Sequence, residues 1–207
     1  MKPQGSSDYY QSLDLVDVPC GLCGHDKPRR LFQVDRYDMG TTTVACPRCG
    51  LIFISPRPSD EALQDFYANH YRKFYFGVEE PTPQQVAEST GGTRAQLVRE
   101  MLQNRRLIRE GTRVIDAGCG AGELLKQLHD TIDLGPSQGI EPGEAFGRFA
   151  QQHAGCPVHL GTLRSFIDDH KAATPRFDLV ILSHVLEHLT EPLEHLKTLR
   201  QLVSDKG

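Results

Sequence analysis

The segment VIDAGCGAGELL, residues 114–125, restricts the fold of this chain more than any other feature. An apolar run precedes three closely spaced glycines, and a helical pattern follows them. A strand that enters a helix through a glycine-rich turn is typical of α/β proteins, in which the turn brings backbone amides close to a ligand. The segment therefore predicts a ligand site at the end of a strand in a parallel sheet.

The acidic residues around these glycines restrict the ligand. Asp116 precedes the glycines and Glu123 follows them. A dinucleotide loop has the pattern G-x-G-x-x-G, whereas the third glycine here comes one residue early. Carboxylates beside a pyrophosphate would also be repelled by about 1 kcal/mol for each close pair, even in water. We therefore expect a ligand without phosphate groups, preferably one that carries positive charge.

Strand-like and helical segments alternate after this loop. The strand-like segments are RVIDAG, SQGIEP, CPVHLG and FDLVILSH, and a helical pattern follows each of them. This alternation predicts β-α-β units and a parallel sheet with helices on both faces. The chain stops after the helix that should lead into a fifth strand, so we expect the C-terminal strands of the sheet to be missing. The alternative is a compact variant of the fold with four strands.

The glycine loop resembles the first motif of class I S-adenosylmethionine-dependent methyltransferases. The resemblance implies a Rossmann-like sheet in which Asp116 lies near the methionine part of the cofactor. Gly118, Cys119 and Gly120 would then pass beneath the cofactor, with Cys119 as a small packing residue rather than a nucleophile. The segment GIEP, residues 139–142, resembles the end of the second strand of that family. It implies that Glu141, followed by Pro142, binds the ribose hydroxyls, because two carboxylate oxygens can accept hydrogen bonds from two hydroxyls.

Two further segments resemble the family more weakly. GTL, which contains Thr162 and Leu163, corresponds to the residues that flank the adenine. FDLVILSHVLEHL corresponds to the fourth strand and its turn, where Ser183 and His184 would face the methyl-transfer cavity.

Three interpretations of the segment H-V-L-E-H remain open. His184 would act as a general base or position the acceptor. Alternatively, if the segment is helical, His184, Glu187 and His188 share one face and bind a divalent metal. In the third interpretation, Glu187 and His188 only cap and pack the turn.

Four of the six cysteines form two C-x-x-C pairs, Cys20 with Cys23 and Cys46 with Cys49. Each pair is followed directly by glycine, which permits the tight turn that points both thiols inward. Four thiolates are the ligand set that zinc prefers in closed structural sites. We therefore expect a structural Zn²⁺, with disulfide or redox use as the alternative.

The sequence predicts four regions. Residues 1–18 are a flexible N-terminus, 19–58 a zinc ribbon, 59–92 a helix and linker, and 93–207 the cofactor-binding methyltransferase domain. Within the third region, residues 77–92 are rich in Pro, Gly, Gln and Thr and predict a linker or mobile loop. The ribbon and its following helix resemble a module found before many bacterial methyltransferase domains.

Two apolar patterns predict details of the helices. One set recurs at helical spacing and predicts a buried helix face that ends at Gly111: Leu97, Val98, Met101, Leu102 and Ile108. A second set is aromatic and would close over the cofactor: Tyr67, Tyr71, Phe74 and Tyr75. The alternative is that these side chains form the core of the helix after the ribbon, which is the favoured interpretation for Phe66 and Tyr67.

Composition restricts the partners. The 23 basic and 27 acidic residues give a net charge of −4, which argues against a nucleic-acid partner. No apolar run approaches the roughly 20 residues of a membrane span, and the N-terminus lacks the apolar core of a secretory signal. We therefore expect a cytoplasmic protein. The resemblance to methyltransferases that follow a zinc-ribbon module implies an enzyme that methylates a small polar acceptor, such as a sugar or nucleotide-sugar. The alternatives are an RNA methyltransferase and a non-catalytic module for cofactor binding or zinc-ribbon interaction.

Overall fold

The structure, a computed structural model, describes residues 12–33, 40–70, 77, 80–205 and 207. The chain divides into two compact units, Met1–Val78 with Thr190–Leu193 and Glu79–Leu189 with Glu194–Gly207. The first unit contains the two cysteine pairs and the second contains the glycine loop. Three members of the predicted aromatic group, Tyr71, Phe74 and Tyr75, lie outside the described residues.

The first unit is built from short antiparallel strands. Strand β1 pairs with β5, and β2, β3 and β4 form a three-stranded sheet in that order. Helix α1 follows, capped by the side chain of Ser59, and continues into a π-helical turn at Phe66–His70. The elements are β1 Leu15–Val16, β2 Arg29–Phe32, β3 Thr43–Ala45, β4 Ile52–Ile54, β5 Arg57–Pro58 and α1 Asp60–Asp65.

The second unit contains the predicted parallel sheet. Its strands have the order β8-β7-β6-β9, and every neighbouring pair is parallel. The order reverses between β6 and β9, which is where open α/β sheets form a ligand crevice at the carboxyl ends of their strands. The strands are β6 Val114–Ala117, β7 Ser137–Glu141, β8 Val158–Leu160 and β9 Leu179–Ile181. The predicted α/β class with a Rossmann-like sheet is confirmed.

Helices cover this sheet and give it two apolar cores. Alternate residues of β6 point to opposite sides, so Val114 packs in one core and Ile115 in the other. The first core includes residues of α3, α4 and α5, and the second includes residues of α6 and α7. The helices are α2 Pro83–Glu88, α3 Thr90–Asn104, α4 Glu123–His129, α5 Glu144–His153, α6 Leu163–Asp169 and α7 Pro192–Arg200.

The segment predicted as a linker or mobile loop differs from that expectation. Helix α2 lies within it, because Thr82 and Gln85 form a reciprocal capping box and Pro83 occupies the first turn. Helix α3 also begins within this segment, at Thr90 with Ser89 as its cap.

The prediction of the apolar face of α3 is partly wrong. Leu97 is 61% exposed and Met101 is 50% exposed. The buried side instead carries Ala95 and Leu102, with Val98 packed against the same core. The helix also ends at Asn104, before the predicted stop at Gly111. Five apolar residues within twelve fit more than one helical stripe, and the small Ala95 allows the close approach of this helix to α4.

The helices in the described part of the chain are short. The longest, α3, has 15 residues, and none is long and apolar enough to cross a membrane.

Candidate functional site

The glycine loop joins the carboxyl end of β6 to the start of α4. The backbone amides of Gly118 and Cys119 donate to the carbonyl oxygen of Ile140 at 2.8 and 3.0 Å, which ties the loop to β7. Gly118 has φ +86°, and a Cβ atom there would overlap the side chain of Val185. Glycine is favoured here, because the left-handed backbone and the contact with Val185 both disfavour a side chain.

Two buried carboxylates lie on the neighbouring strands β6 and β7 near this loop. Asp116 on β6 and Glu141 on β7 are each 3% exposed. Glu141 accepts hydrogen bonds from the amide of Gly120 at 2.9 Å and from the amide of Gly143 at 3.0 Å. The sequence predicted Glu141 as a ligand residue but missed these two backbone donors. The sequence E-P-G could have indicated the second donor, because it predicts a turn into a helix. Gly143 is the N-cap residue of α5, and its amide is directed toward Glu141.

Asp116 is the less compensated of the two carboxylates. Its Oδ1 atom is buried and has no hydrogen-bond partner within the described residues. Burial, followed by the negative charges of Glu141 and Glu123, raises the pKa of Asp116 to about 7. A cation placed against Asp116 would reverse this shift, so the strand end is suited to a ligand with positive charge.

Glu123 has a contact that its sequence position did not predict. A Cβ atom on Gly91 would overlap the carboxylate of Glu123, so that carboxylate lies at the first turn of α3. A helix N-terminus favours negative charge. The carboxylate of Glu123 therefore contributes to the contact between α3 and α4. Its negative charge also raises the pKa of Asp116.

Cys119 is a buried neighbour of these carboxylates. Burial raises its pKa far above the ordinary value of a thiol, and the charges of Asp116 and Glu141 raise it further. The thiol faces β7, since a Cβ atom on Gly139 would lie 2.8 Å from the sulfur. A protonated, buried thiol is unsuited to nucleophilic chemistry.

The residues predicted to flank the adenine lie just after β8. Thr162 is exposed and caps α6, accepting a hydrogen bond from the amide of Ser165 at 3.1 Å. Leu163 packs against the second core. The amide of Gly161 donates to the carbonyl oxygen of Glu141 at 3.0 Å, which joins this loop to the end of β7. Pro142, which follows Glu141 in the sequence, is exposed.

The turn after β9 brings His184 to the same edge of the sheet. Ser183 is half-buried, whereas the His184 side chain is 58% exposed and its Nδ1 lies 3.5 Å from Oε1 of Glu187. His184 has φ +55°, and a 3₁₀ turn at Leu186–His188 begins only after it. His184 is therefore outside the helical turn that a shared face with Glu187 and His188 requires.

The four paired cysteines converge in the first unit. Cys20 Sγ is 3.5 Å from Cys49 Sγ, Cys23 Sγ is 3.5 Å from Cys46 Sγ, and all four sulfurs lie within 4.8 Å of one another. Four sulfurs around one tetrahedral zinc at 2.3 Å are about 3.8 Å apart. Within the described residues, this is the only group of three or more His, Cys, Asp or Glu side chains with such convergence. His184, Glu187 and His188 do not form a comparable group.

The two cysteine turns share one hydrogen-bonding pattern. In each turn the carbonyl oxygen of the first cysteine accepts from the glycine amide four residues later, at 2.8 Å for Gly24 and 2.9 Å for Gly50. The amide of the first cysteine donates to the carbonyl oxygen five residues later, at 2.9 Å for His25 and 2.8 Å for Leu51. Both glycines have positive φ, as predicted from their position after each pair.

The thiols are too close to ionise independently. Burial raises the pKa of Cys46, but the amides of Cys49 and Arg48 and the neighbouring thiols lower it to about 6. The amide of Leu51 lowers the pKa of Cys49, but burial and the neighbouring thiols raise it to about 12. Four thiolates at these distances require a cation between them, so the donor set, spacing and turns all fit Zn²⁺.

Comparison with known proteins identifies the second unit. A family model described as a methyltransferase domain matches residues 91–207. The chain belongs to the methyltransferase domain family. The matched range contains the glycine loop, Glu141, Thr162 and His184, and the predicted resemblance is confirmed at the level of the family.

The relatives agree with this family. The chain is 32% identical over 100 residues to a ubiquinone biosynthesis O-methyltransferase of Vibrio campbellii, covering 47% of this chain and 41% of that protein. It is also 32% identical over 104 residues to the protein of the same name in Vibrio vulnificus, with the same coverage. The chain thus spans about two fifths of the length of these curated relatives.

A solved structure supports the fold. The magnesium protoporphyrin IX methyltransferase of Synechocystis PCC 6803, with bound SAH, superimposes with a TM-score of 0.50 at 22% identity. The match covers 70% of this chain and 68% of that one.

Proposed function

We propose that this chain binds S-adenosylmethionine at the carboxyl ends of β6 and β7 and serves methyl transfer to a small polar acceptor. The buried carboxylate of Asp116, with an Oδ1 atom that has no partner within the described residues, carries this proposal. A phosphate-bearing ligand would be repelled there, whereas an ammonium or sulfonium group would compensate the charge.

The residues around Asp116 fit the rest of that cofactor. Each oxygen of a carboxylate can accept two hydrogen bonds, so the bonds that Glu141 accepts from Gly120 and Gly143 are compatible with ribose hydroxyl donors. Gly118 keeps the backbone free of a side chain at the start of the loop. Thr162 and Leu163 would flank the adenine, because the hydrogen bond between Gly161 and Glu141 joins their loop to the end of β7.

When bound, S-adenosylmethionine supplies a methyl group activated by a positively charged sulfur. Ser183 and His184 lie beyond β9, next to β6 in the sheet, and would line the acceptor side. His184 is exposed and has Glu187 at 3.5 Å, so its imidazole can take a proton from an acceptor hydroxyl while the carboxylate stabilises the imidazolium. Holding the acceptor in line with the methyl group would supply much of the rate enhancement.

The four cysteines Cys20, Cys23, Cys46 and Cys49 would hold one Zn²⁺. Their coordination is complete with four sulfurs and leaves no open position for a substrate, so the metal would be structural. Zinc would compensate the repulsion among the thiolates and stabilise the first unit.

The acceptor class follows from the relatives and from the charge of the chain. The relatives named for ubiquinone biosynthesis support a small-molecule acceptor, and a sugar or nucleotide-sugar stays a prediction. The net charge of −4 argues against RNA. A non-catalytic module would bind the cofactor and yield no turnover.

Isothermal titration calorimetry with S-adenosylmethionine tests the proposal. We expect saturable binding by the wild-type chain and its loss in both Asp116→Ala and Glu141→Ala. Glu144→Ala is the matched control, because this carboxylate lies three residues from Glu141 but is 69% exposed in an ion pair with Arg148. Binding that survives both site substitutions would refute the assignment. Once an acceptor is identified, His184→Ala should reduce turnover and leave cofactor binding unchanged.

A further inference from the structure

A hydrogen-bonded chain of side chains underlies the loop after β8. His159, on β8, is only 14% exposed, and the edge of its ring packs on Phe166 with 5.4 Å between ring centroids. Its Nε2 atom lies 2.9 Å from Oγ of Ser165, in the first turn of α6. Sequence patterns gave no sign of this contact, since the two residues belong to different elements.

The direction of the hydrogen bonds follows from the inventory of protons. Ser165 has one hydroxyl hydrogen, and its Oγ donates to the carbonyl oxygen of Thr162 at 2.9 Å. The same Oγ must therefore accept a hydrogen from Nε2 of His159. The amide of Ser165 in turn donates to Oγ1 of Thr162 at 3.1 Å. His159 thus holds Ser165, and Ser165 holds both the carbonyl group and the side chain of Thr162.

Gly161 lies directly against this chain of contacts. A Cβ atom there would be 2.5 Å from Oγ of Ser165 and 2.9 Å from Nε2 of His159. The glycine therefore leaves the space that the imidazole–hydroxyl hydrogen bond occupies. Its amide donates to the carbonyl oxygen of Glu141 at 3.0 Å. The loop is fixed to β7 through its backbone and to α6 through His159 and Ser165.

We propose that His159 is a positioning residue, which holds Thr162 and Leu163 in the orientation that receives the adenosine part of the cofactor. This inference rests on the proposed function. His159 is not a catalytic residue in this account, because it acts through Ser165. Its effect is on the free energy of binding, since a loop that is ordered before binding loses less conformational entropy when the ligand arrives.

The charges around the ring are consistent with a neutral imidazole that donates from one nitrogen. Burial lowers the pKa of His159 below its ordinary value, and His170 lowers it further, while Asp169 opposes both. The carboxylate of Asp169 lies 3.8 Å from Nδ1 and is largely exposed. Protonation would add a donor at Nδ1 and leave the Nε2 donor in place, so the contact with Ser165 persists in either state.

The test compares His159→Phe, which keeps an aromatic ring against Phe166 but has no donor, with His159→Gln, whose amide N–H replaces Nε2. Calorimetry measures binding of S-adenosylmethionine and of adenosine alone. We expect the phenylalanine variant to weaken both ligands by about five- to tenfold, the usual weight of one hydrogen bond. The glutamine variant should restore binding to within about threefold of wild type.

Two further measurements separate positioning from stability. Hydrogen exchange of the Gly161, Thr162 and Leu163 amides in the ligand-free chain should be faster in His159→Phe than in His159→Gln. Ser165→Ala should reproduce the loss of affinity, and adding it to His159→Phe should cause no further loss. It also serves as the test variant if His159→Phe does not fold.

The outcomes are distinguishable. If wild type binds S-adenosylmethionine and the phenylalanine variant binds it equally well, the inference is wrong and the proposed function stands. If glutamine fails to rescue binding and both variants lose thermal stability equally, His159 is only structural and the inference is also wrong. If wild type binds neither ligand, the proposed function fails and this inference fails with it.

Discussion

Replacing the carboxylate of Asp116 by the amide of asparagine should stabilise the ligand-free chain and weaken cofactor binding. The carboxylate is buried, and this burial, with the negative charges of Glu141 and Glu123, raises its pKa to about 7. A buried group that is hard to ionise lowers the stability of the fold at any pH where the unfolded chain ionises it freely. Asparagine removes that charge and preserves the size of the side chain.

The magnitude follows from the shift in pKa. A change from 3.8 to about 7 corresponds to about 4 kcal/mol of unfavourable free energy for the ionised form. This value is an upper limit, because water entry and local relaxation reduce the penalty. For a chain of this length, each kcal/mol changes the melting temperature by about 2–4 °C, so the gain at pH 8 should be at most about 8–16 °C.

The stability gained by Asp116→Asn should depend on pH in a characteristic way. Between about pH 4 and pH 7 the folded chain keeps a proton on Asp116 that the unfolded chain has released, so stability falls as pH rises through this window. The stabilisation by Asp116→Asn should therefore be absent below pH 4, grow up to pH 7 and stay constant above it.

Thermal unfolding of the ligand-free wild type and variant from pH 4 to pH 8 measures this difference. Asp130→Asn is the control, because that carboxylate is exposed in an ion pair with Lys126 and should change the melting temperature little at any pH. An Asp116→Asn variant that is less stable than wild type at pH 8, or equally displaced at pH 4 and pH 8, would refute the reasoning.

Three other substitutions test separate parts of the structure. Cys46→Ser should remove bound zinc, measured by elemental analysis, and lower the melting temperature of the first unit, because three sulfurs hold the metal less well than four. Gly118→Ala should abolish cofactor binding and cost at least 1–2 kcal/mol of stability, roughly the penalty for a left-handed alanine, with the overlap with Val185 in addition. Asp178→Asn should lower stability at pH 7, because its hydrogen bonds with Arg113, then with Ser204, hold the pKa of Asp178 well below its usual value. That contribution should begin to fall below about pH 4, the unfolded-state pKa, and be lost progressively as pH falls toward the lower pKa of the folded state.

The first two of these changes have a control variant within the chain, and the third is checked by its dependence on pH. Cys156→Ser should retain zinc, since Cys156 is not among the four converging sulfurs; a wild-type chain without zinc would contradict the site. Gly111→Ala shares the positive φ of Gly118 but has no atom within 4 Å of its Cβ position, so it should cost less. If both variants lost the same stability, the overlap with Val185 would contribute nothing to the loss in Gly118→Ala, and the prediction would be wrong. A stability difference between Asp178→Asn and wild type that is the same at pH 2 and pH 7 would contradict the third prediction.

The local pattern of the sequence was sufficient for much of the fold. The glycine loop, the strand before it and the strand ending at Glu141 follow from short-range periodicity and turn chemistry, and all three are in the structure. The cysteine pairs also converge as predicted, because each pair and its glycine form a self-contained turn.

Features that depend on contacts between distant elements were not predictable in the same way. Leu97 and Met101 fit a helical stripe, but only the packing of α3 against α4 shows which stripe is buried. The left-handed backbone of His184 excludes the shared helical face with Glu187 and His188, which was one of three open interpretations. Histidine is among the residue types that adopt this conformation more often, but its residue type alone does not specify it. The hydrogen bond between His159 and Ser165 requires the relative placement of β8 and α6.

Parallel titrations of the chain with S-adenosylmethionine and with NAD⁺ test the central claim most directly. Both ligands contain adenosine, but only one carries cationic groups in place of phosphates. At pH 8, above the raised pKa of Asp116, its buried carboxylate is ionised and predicts saturable binding of S-adenosylmethionine and none of NAD⁺. Saturable binding of NAD⁺, or no binding of S-adenosylmethionine, would contradict the account.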